Sequence, residues 1–270
     1  MIKSILLYVN DDNGMESRMA AALAITHRQG GHLCCIQVTP VSDYVAIDPF
    51  GGMYEMGALF EDLAKRALEV RTRIEERLTT ENIKWDWSVY DEGVAASIVS
   101  RSQLADFVVL SLADHMSSKA PHLVSLVADV SIHSNTPVLA VPIAAPVFDP
   151  AGVAMIAWNG SPEAAHAVRA AMPLLTTASA VQIISFDEDQ SFPMADVRRY
   201  LEAHGVTTGC NEHRLDGKTV GESLCHISVA LPAAYIVMGA YGHTRFREAV
   251  LGGVSRHMLA HSPVPLLLAH

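Results

Sequence analysis

Between residues 239 and 256 the chain reads Gly239-Ala240-Tyr241-Gly242-His243, passes Arg245 and Arg247, and continues Gly252-Gly253-Val254-Ser255-Arg256. Glycines at 239 and 242 permit a tight exit from a strand and close approach of the backbone to a ligand. Gly252 and Gly253 stand where a helix begins, so its first amides and the positive end of its dipole are open to an anion. The anion such a segment suits is a phosphate, because Ser255 offers a hydroxyl and Arg245, Arg247 and Arg256 supply positive charge. His243, the histidine of this glycine segment, reads either as a phosphate contact or proton shuttle or as a solvated loop side chain. The same glycines would also serve a chain that merely turns and caps a helix, and spacing alone does not separate the two readings.

Other chemical patterns fail their own spacing. Asp216-Gly217-Lys218-Thr219 resembles the end of a P-loop, but the glycine required five residues before Gly217 falls at Glu212. His257 and His261 are four apart on a predicted helix, yet lack the glutamate and third ligand of a zinc site. No Gly-x-Ser-x-Gly elbow occurs, so no catalytic residue is assigned, and no metal site. The four cysteines include no Cys-x-x-Cys pair, and Cys34 and Cys35 on one strand must point to opposite faces. We read them as small buried thiols. Trp85 and Trp87 share one face of a strand and read as core.

These residues are carried by an alternation of short Val/Ile/Leu-rich runs and helical stretches. Strand-like runs start at Lys3, His32, Ile83, Asp106 and Pro137, and again at Val153, Ala180, Thr207, Ala234 and Pro265. Helical stretches fall between them, the last from Gly253 to His261. Ala105–Ser111, ADFVVLS, matches Ala233–Gly239, AAYIVMG, and His133–Val141 matches His261–Ala269, both at an offset of 128 residues. Leu6 to Asp11 matches Ala154 to Asn159 at 148, so the first half carries about 20 more residues, assigned to Ser42–Glu55 and a longer second helix. The Pro-punctuated stretch Val141 to Pro150 separates units of residues 1–145 and 150–270.

Apolar strands joined through helices are parallel and covered on both faces. The expected fold is α/β, two doubly wound parallel five-stranded sheets in tandem, Rossmann-like with strand order 3-2-1-4-5. Ligands of such sheets sit beyond the carboxyl ends of the strands where the winding reverses, between strands one and four.

The balance of 19 Lys+Arg against 29 Asp+Glu, net −10, argues against nucleic acid or an anionic membrane as general partner. Aromatic residues, 6% of the chain, offer no stacking platform. With no apolar run long enough to span a bilayer, the expected location is cytoplasmic.

The spacing Gly-x2-Gly-x9-Gly at a strand exit, in a five-stranded unit, resembles the nucleotide-binding pattern of the universal stress protein family, and the chain resembles a tandem of two such units. That resemblance implies ATP, with or without Mg2+, held by the second half, its phosphates over Gly239, Gly242, Gly252, Gly253, Val254 and Ser255. It places adenine and ribose near Ala157, Trp158, Asn159, Phe186 and Met238. Asn159 stands where the family usually has an acid, and Gly253 where it has Ser or Thr. At the 128 offset the first half replaces the glycines by Ser111, Asp114, Val124 and Ser125, so it is expected to be nucleotide-free. Asp11 takes the adenine-side position there and reads as a helix cap. Tyr44–Tyr54 is a candidate contact surface. The implied function is an ATP-binding regulatory protein of stress physiology with at most slow hydrolysis, its two units pairing within the chain, and homodimers also expected. The alternatives are a nucleotide-free scaffold and an adenylating or ATP-cleaving enzyme of the wider adenine-nucleotide α-hydrolase-like group.

Overall fold

The protein is described by a computed structural model covering residues 1–39, 53–112, 121–143, 148–186, 192–215, 217–240 and 253–270, with backbone alone at 53–59 and 121–125. Gly242, His243 and Gly252, with Arg245, Arg247, Asp114 and most of the Ser42–Glu55 insertion, lie outside these residues.

Strands and helices alternate as their periodicity dictates. The first half runs β1 (Ser4–Val9), α1 (Met15–Gln29), β2 (His32–Val38), α2 (Met53–Thr80), β3 (Lys84–Tyr90), α3 (Val94–Ser102), β4 (Phe107–Ser111), α4 (Pro121–His133) and β5 (Val138–Val141). The second runs β6 (Val153–Ala157), α5 (Pro162–Leu175), β7 (Ala180–Ser185), α6 (Met194–Ala203), β8 (Thr208–Glu212), α7 (Val220–Ala230), β9 (Tyr235–Gly239), α8 (Gly253–His261) and β10 (Leu266–Ala269). α2 has 28 residues against 10 in its counterpart α6, which accounts for much of the extra length of the first half.

Local chemistry sets the boundaries. Ser161 accepts the Ala164 N–H at 3.1 Å and Pro162 follows at the first helical position, so α5 starts there. α7 opens on a reciprocal capping box between Thr219 and Glu222. That box, together with Gly217 at φ +81°, explains the P-loop-like sequence as a turn and a helix start. The same backbone and hydroxyl hydrogen bonds hold the Glu222 carboxyl below its ordinary pKa.

Within each half the strands are parallel and ordered 3-2-1-4-5, and the two halves merge into one ten-stranded sheet, β3-β2-β1-β4-β5-β10-β9-β6-β7-β8. The junction is an antiparallel ladder pairing Leu266 with Ala140, Leu267 with Leu139 and Leu268 with Val138. Every residue of β5 and β10 is buried. Helices α1, α2, α5 and α6 cover one face over Ile5, Leu7, Phe107, Ala154, Ile156 and Tyr235. The other four cover the opposite face over Leu6, Tyr8, Val108, Met155, Ile236 and Met238. No helix among the described residues is long and apolar enough to cross a membrane.

The pairing corrects the match between the halves by one residue. Ile5 pairs with Phe107 and Ala154 with Tyr235, and Phe107 and Tyr235 are themselves 128 apart. Ile5 therefore corresponds to Ala154, and both face the same core. The offset at the starts is 149 rather than 148, because a single-residue slip would turn every side chain to the wrong face. Asn10, not Asp11, is the counterpart of Asn159.

Truncating the seam tests how far the sheet depends on it. Leu267→Ala removes a fully buried side chain opposite Leu139 and should lower unfolding free energy by about 2–5 kcal/mol, read as a lower urea midpoint at unchanged slope.

Candidate functional site

The second half's switch point lies where β6 and β9 end side by side, with Ala157 paired to Met238. Ala157, Phe186, Met238 and Val254 all belong to the apolar cluster on the face covered by α7 and α8. Phe186 is half-buried, its ring tilted 43° to that of His213 at 6.0 Å. These four gather an apolar wall at the carboxyl edge, of the kind a purine ring can lie against.

Trp158 is separated from that wall. It follows Ala157 and points to the opposite face, where it is buried, donates from Nε1 to the Phe192 carbonyl at 3.1 Å and meets the Phe192 ring edge-on. Alternation along the strand sends neighbours to opposite sides. Its side chain lines an apolar cavity of about 410 Å³ between α5 and α6, with Val168, Val197 and Tyr200. Asn159 is exposed, and its Oδ1 accepts the Ser161 N–H at 3.2 Å, an Asx turn that leads into α5.

The two described glycines of the segment do different work. A Cβ on Gly239 would lie 2.5 Å from the Ala164 nitrogen and 2.6 Å from the Glu163 carbonyl carbon. Gly239 thus lets the end of β9 pack against the first turn of α5. A Cβ on Gly253 would meet nothing within 4 Å, and Gly253 is exposed at the first residue of α8. Among the described residues nothing crowds the start of α8, and Ser255, its third residue, is buried with Arg256 exposed beside it. The first amides of a helix and its dipole favour an anion at such a place.

The first half solves the same packing problem the other way round. Ser111 stands where Gly239 does, and the glycine has moved to the facing helix: a Cβ on Gly14 would lie 2.8 Å from Ser111 Cβ. Between the ends of β1 and β4 lies Arg18, 1% exposed. Its Nε donates to the Tyr8 carbonyl at 3.0 Å and its Nη1 to Ser111 Oγ at 2.7 Å. Nη1 and Nη2 also grip Asp12 at 2.9 and 3.0 Å. Burial pushes the Tyr8 phenol up to about 12, against the pull of the guanidinium above its ring. Ala167 is the counterpart of Arg18 at the 149 offset, so the second half has no arginine at that position.

Asp11 is not a helix cap. α1 is capped by Gly14 without a side-chain bond, and Asp12 Oδ1, not Asp11, accepts the Gly14 N–H at 2.8 Å. Asp11 is exposed and pairs with Arg73 of α2 at 2.9 Å, because the one-residue shift carries it past the strand end. Sequence reasoning overlooked Arg18. Its signal was an arginine standing among Met15, Met19, Ala22 and Ile25 on an otherwise apolar helix face.

Opposite outcomes are expected at the two glycines. Gly239→Ala must displace the backbone of α5 and should destabilise by about 1–3 kcal/mol. Gly253→Ser should stay within about 0.5 kcal/mol of the parent in the same thermal denaturation. Arg18→Ala strands Asp12 and Ser111 and should cost about 3–5 kcal/mol, measured by urea unfolding.

Comparison with known proteins agrees with this architecture. A universal stress protein from Archaeoglobus fulgidus DSM 4304 superposes with a TM-score of 0.75 at 17% identity, covering 98% of this chain and 95% of that one. A Pseudomonas aeruginosa UCBPP-PA14 structure named for the same group gives 0.62 at 16% identity, covering 99% and 93%. A universal stress protein in complex with cAMP matches 53% of this chain and 98% of its own, at 16% identity and a TM-score of 0.34. No curated protein matches the sequence. Residues 153–270, the half with the open helix start, match the model of the Universal stress protein family.

Proposed function

We propose that residues 150–270 form a unit that binds an adenine nucleotide, ATP, and that the chain is a regulatory protein of stress physiology whose nucleotide occupancy alters its contacts. The observation that carries this reading is the open start of α8 at Gly253, next to the apolar wall of Ala157, Phe186, Met238 and Val254. The helix start suits phosphate and the wall suits a purine, and both lie at the carboxyl edge where the winding reverses. Phosphates would be held by the amides of Gly253, Val254 and Ser255, with Gly242, Gly252 and His243 completing the loop. Arg256 adds positive charge, and Asn159 offers its amide to the base or ribose. Trp158, on the opposite face of the sheet, does not touch the base in this reading.

Mg2+ would arrive with the phosphates. Among the described residues, the cluster able to ligate a metal lies in the first half, on β2 and β3. Among the described residues no group is placed as a general base, and the expected hydrolysis is slow or nil. The unit of residues 1–145 is nucleotide-free in this reading, since Arg18 bridges the strand ends that would flank a ligand. The β5–β10 ladder supports pairing of two units within one chain, an arrangement otherwise made by two subunits. A cytoplasmic location and further homodimers belong to the same reading.

The test is calorimetric titration with ATP and Mg2+ of the parent and of Gly253→Asp, which has space for the side chain but sets a carboxylate at the phosphate position. Saturable binding by the parent, weakened about tenfold or more in the folded variant, is expected. Absence of binding by the parent, or equal affinity in both, overturns the reading and leaves the nucleotide-free scaffold.

A further inference from the structure

His32, Cys34 and Asp86 converge near the starts of β2 and β3 in the first half, several strands away from the candidate nucleotide site between β6 and β9. β2 begins at His32, and Cys34 two residues later shares its face. Asp86 of β3 is the direct cross-strand partner of Cys34. The imidazole Nε2, the thiol Sγ and a carboxylate oxygen all lie within 4.8 Å of one another, and Nε2 is 2.6 Å from Asp86 Oδ2. Side chains of His32 and Asp86 are 39% and 52% exposed, and Cys34 is half-buried. β3 is the outermost strand, so solvent reaches the cluster. Ser4 Oγ lies 3.7 Å from the sulfur.

From this convergence we propose that His32, Cys34 and Asp86 bind a divalent transition-metal ion of the zinc type, with water in the fourth position. One nitrogen, one sulfur and one oxygen donor select zinc-like ions over Mg2+ or Ca2+, which take oxygen ligands. Ligand atoms around tetrahedral zinc stand roughly 3.3–3.8 Å apart, given bond lengths of about 2.0–2.3 Å. Opening the His32–Asp86 contact by about 1 Å meets this, and two partly exposed side chains can turn that far. Burial pushes the Cys34 thiol above its ordinary pKa, so the ion must displace a proton on binding. Arg101 stands near enough to oppose the added charge, and the Asp86 carboxylate and the thiolate offset it. Ligation would pin edge strand β3 to β2, independently of the state of the nucleotide site. A His-x-Cys pair whose third ligand comes 52 residues after Cys34 carries no spacing that sequence alone would register.

Metal-stripped full-length protein titrated with Co2+, and then competed with Zn2+, reads the site directly. One ion per chain is expected, with thiolate-to-cobalt charge-transfer absorption and the visible bands of four-coordinate cobalt, both erased by Zn2+. Cys34→Ser should abolish the charge-transfer band. His32→Ala and Asp86→Asn should weaken binding by more than about tenfold. His32→Ala alters a partly exposed side chain and decides the matter if Cys34→Ser fails to fold. His261→Ala, which removes one ring of the stacked His257–His261 pair, should leave binding unchanged. No thiolate band in the parent, a band that survives in folded Cys34→Ser, undiminished affinity in His32→Ala, or loss of binding in His261→Ala overturns the proposal.

Discussion

The architecture depends on what happens to β5 and β10. Both are four-residue strands of aliphatic side chains, VLAV and LLLA, with every residue buried. Left as an edge, either would expose apolar side chains and an unpaired row of backbone groups. Pairing them with each other in an antiparallel ladder removes both edges at once and turns two parallel five-stranded sheets into one of ten strands. The outer edges left over, β3 and β8, are the strands that alternate with exposed residues or carry polar ones.

Equivalent halves then diverge at their switch points through a steric exchange. A strand end and the first turn of the next crossover helix must approach closely in both halves, which requires a small residue on one side of the contact. In the second half it is Gly239 on the strand, and in the first it is Gly14 on the helix, with Ser111 opposite. Moving the glycine allowed Ser111 to present a hydroxyl to Arg18, which with Asp12 ties the ends of β1 and β4 together. The half that matches the family model has alanine in place of that arginine and a helix start with open space around Gly253. The same fold thus carries an arginine bridge at the strand ends of one half and an alanine at the matching position of the other.

The two halves differ in chemistry as well. At the carboxyl edge the ingredients are helix amides, a hydroxyl and an apolar wall. At the amino edge of β2 and β3 they are imidazole, thiol and carboxylate. Because β10 runs antiparallel to β5, the strand starts of the first half lie at the same edge of the sheet as the strand ends of the second, and what separates the two clusters is the run of strands between β2 and β6.

Much of the fold was legible from residues alone, because strand and helix periodicities, Pro162 and the Thr219-x-x-Glu222 cap are local properties that survive into the folded chain. The repeat at offset 128 was equally plain, since β4, β5, β9 and β10 have few alternatives to apolar side chains on both faces. That Ala157 and Met238 lie on one face at the ends of β6 and β9 required only strand alternation and the switch-point rule. What the residues could not decide was register and partnership across the sheet. Whether Asn10 or Asp11 matches Asn159 turns on one pairing, Ile5 with Phe107. The burial of Arg18 depends on acceptors from β1, β4 and the turn before α1, and the His32–Cys34–Asp86 cluster on which residue of β3 lies beside β2. Periodicity assigns a side chain to a face, but only the hydrogen-bonded ladder determines which side chain from another strand stands next to it.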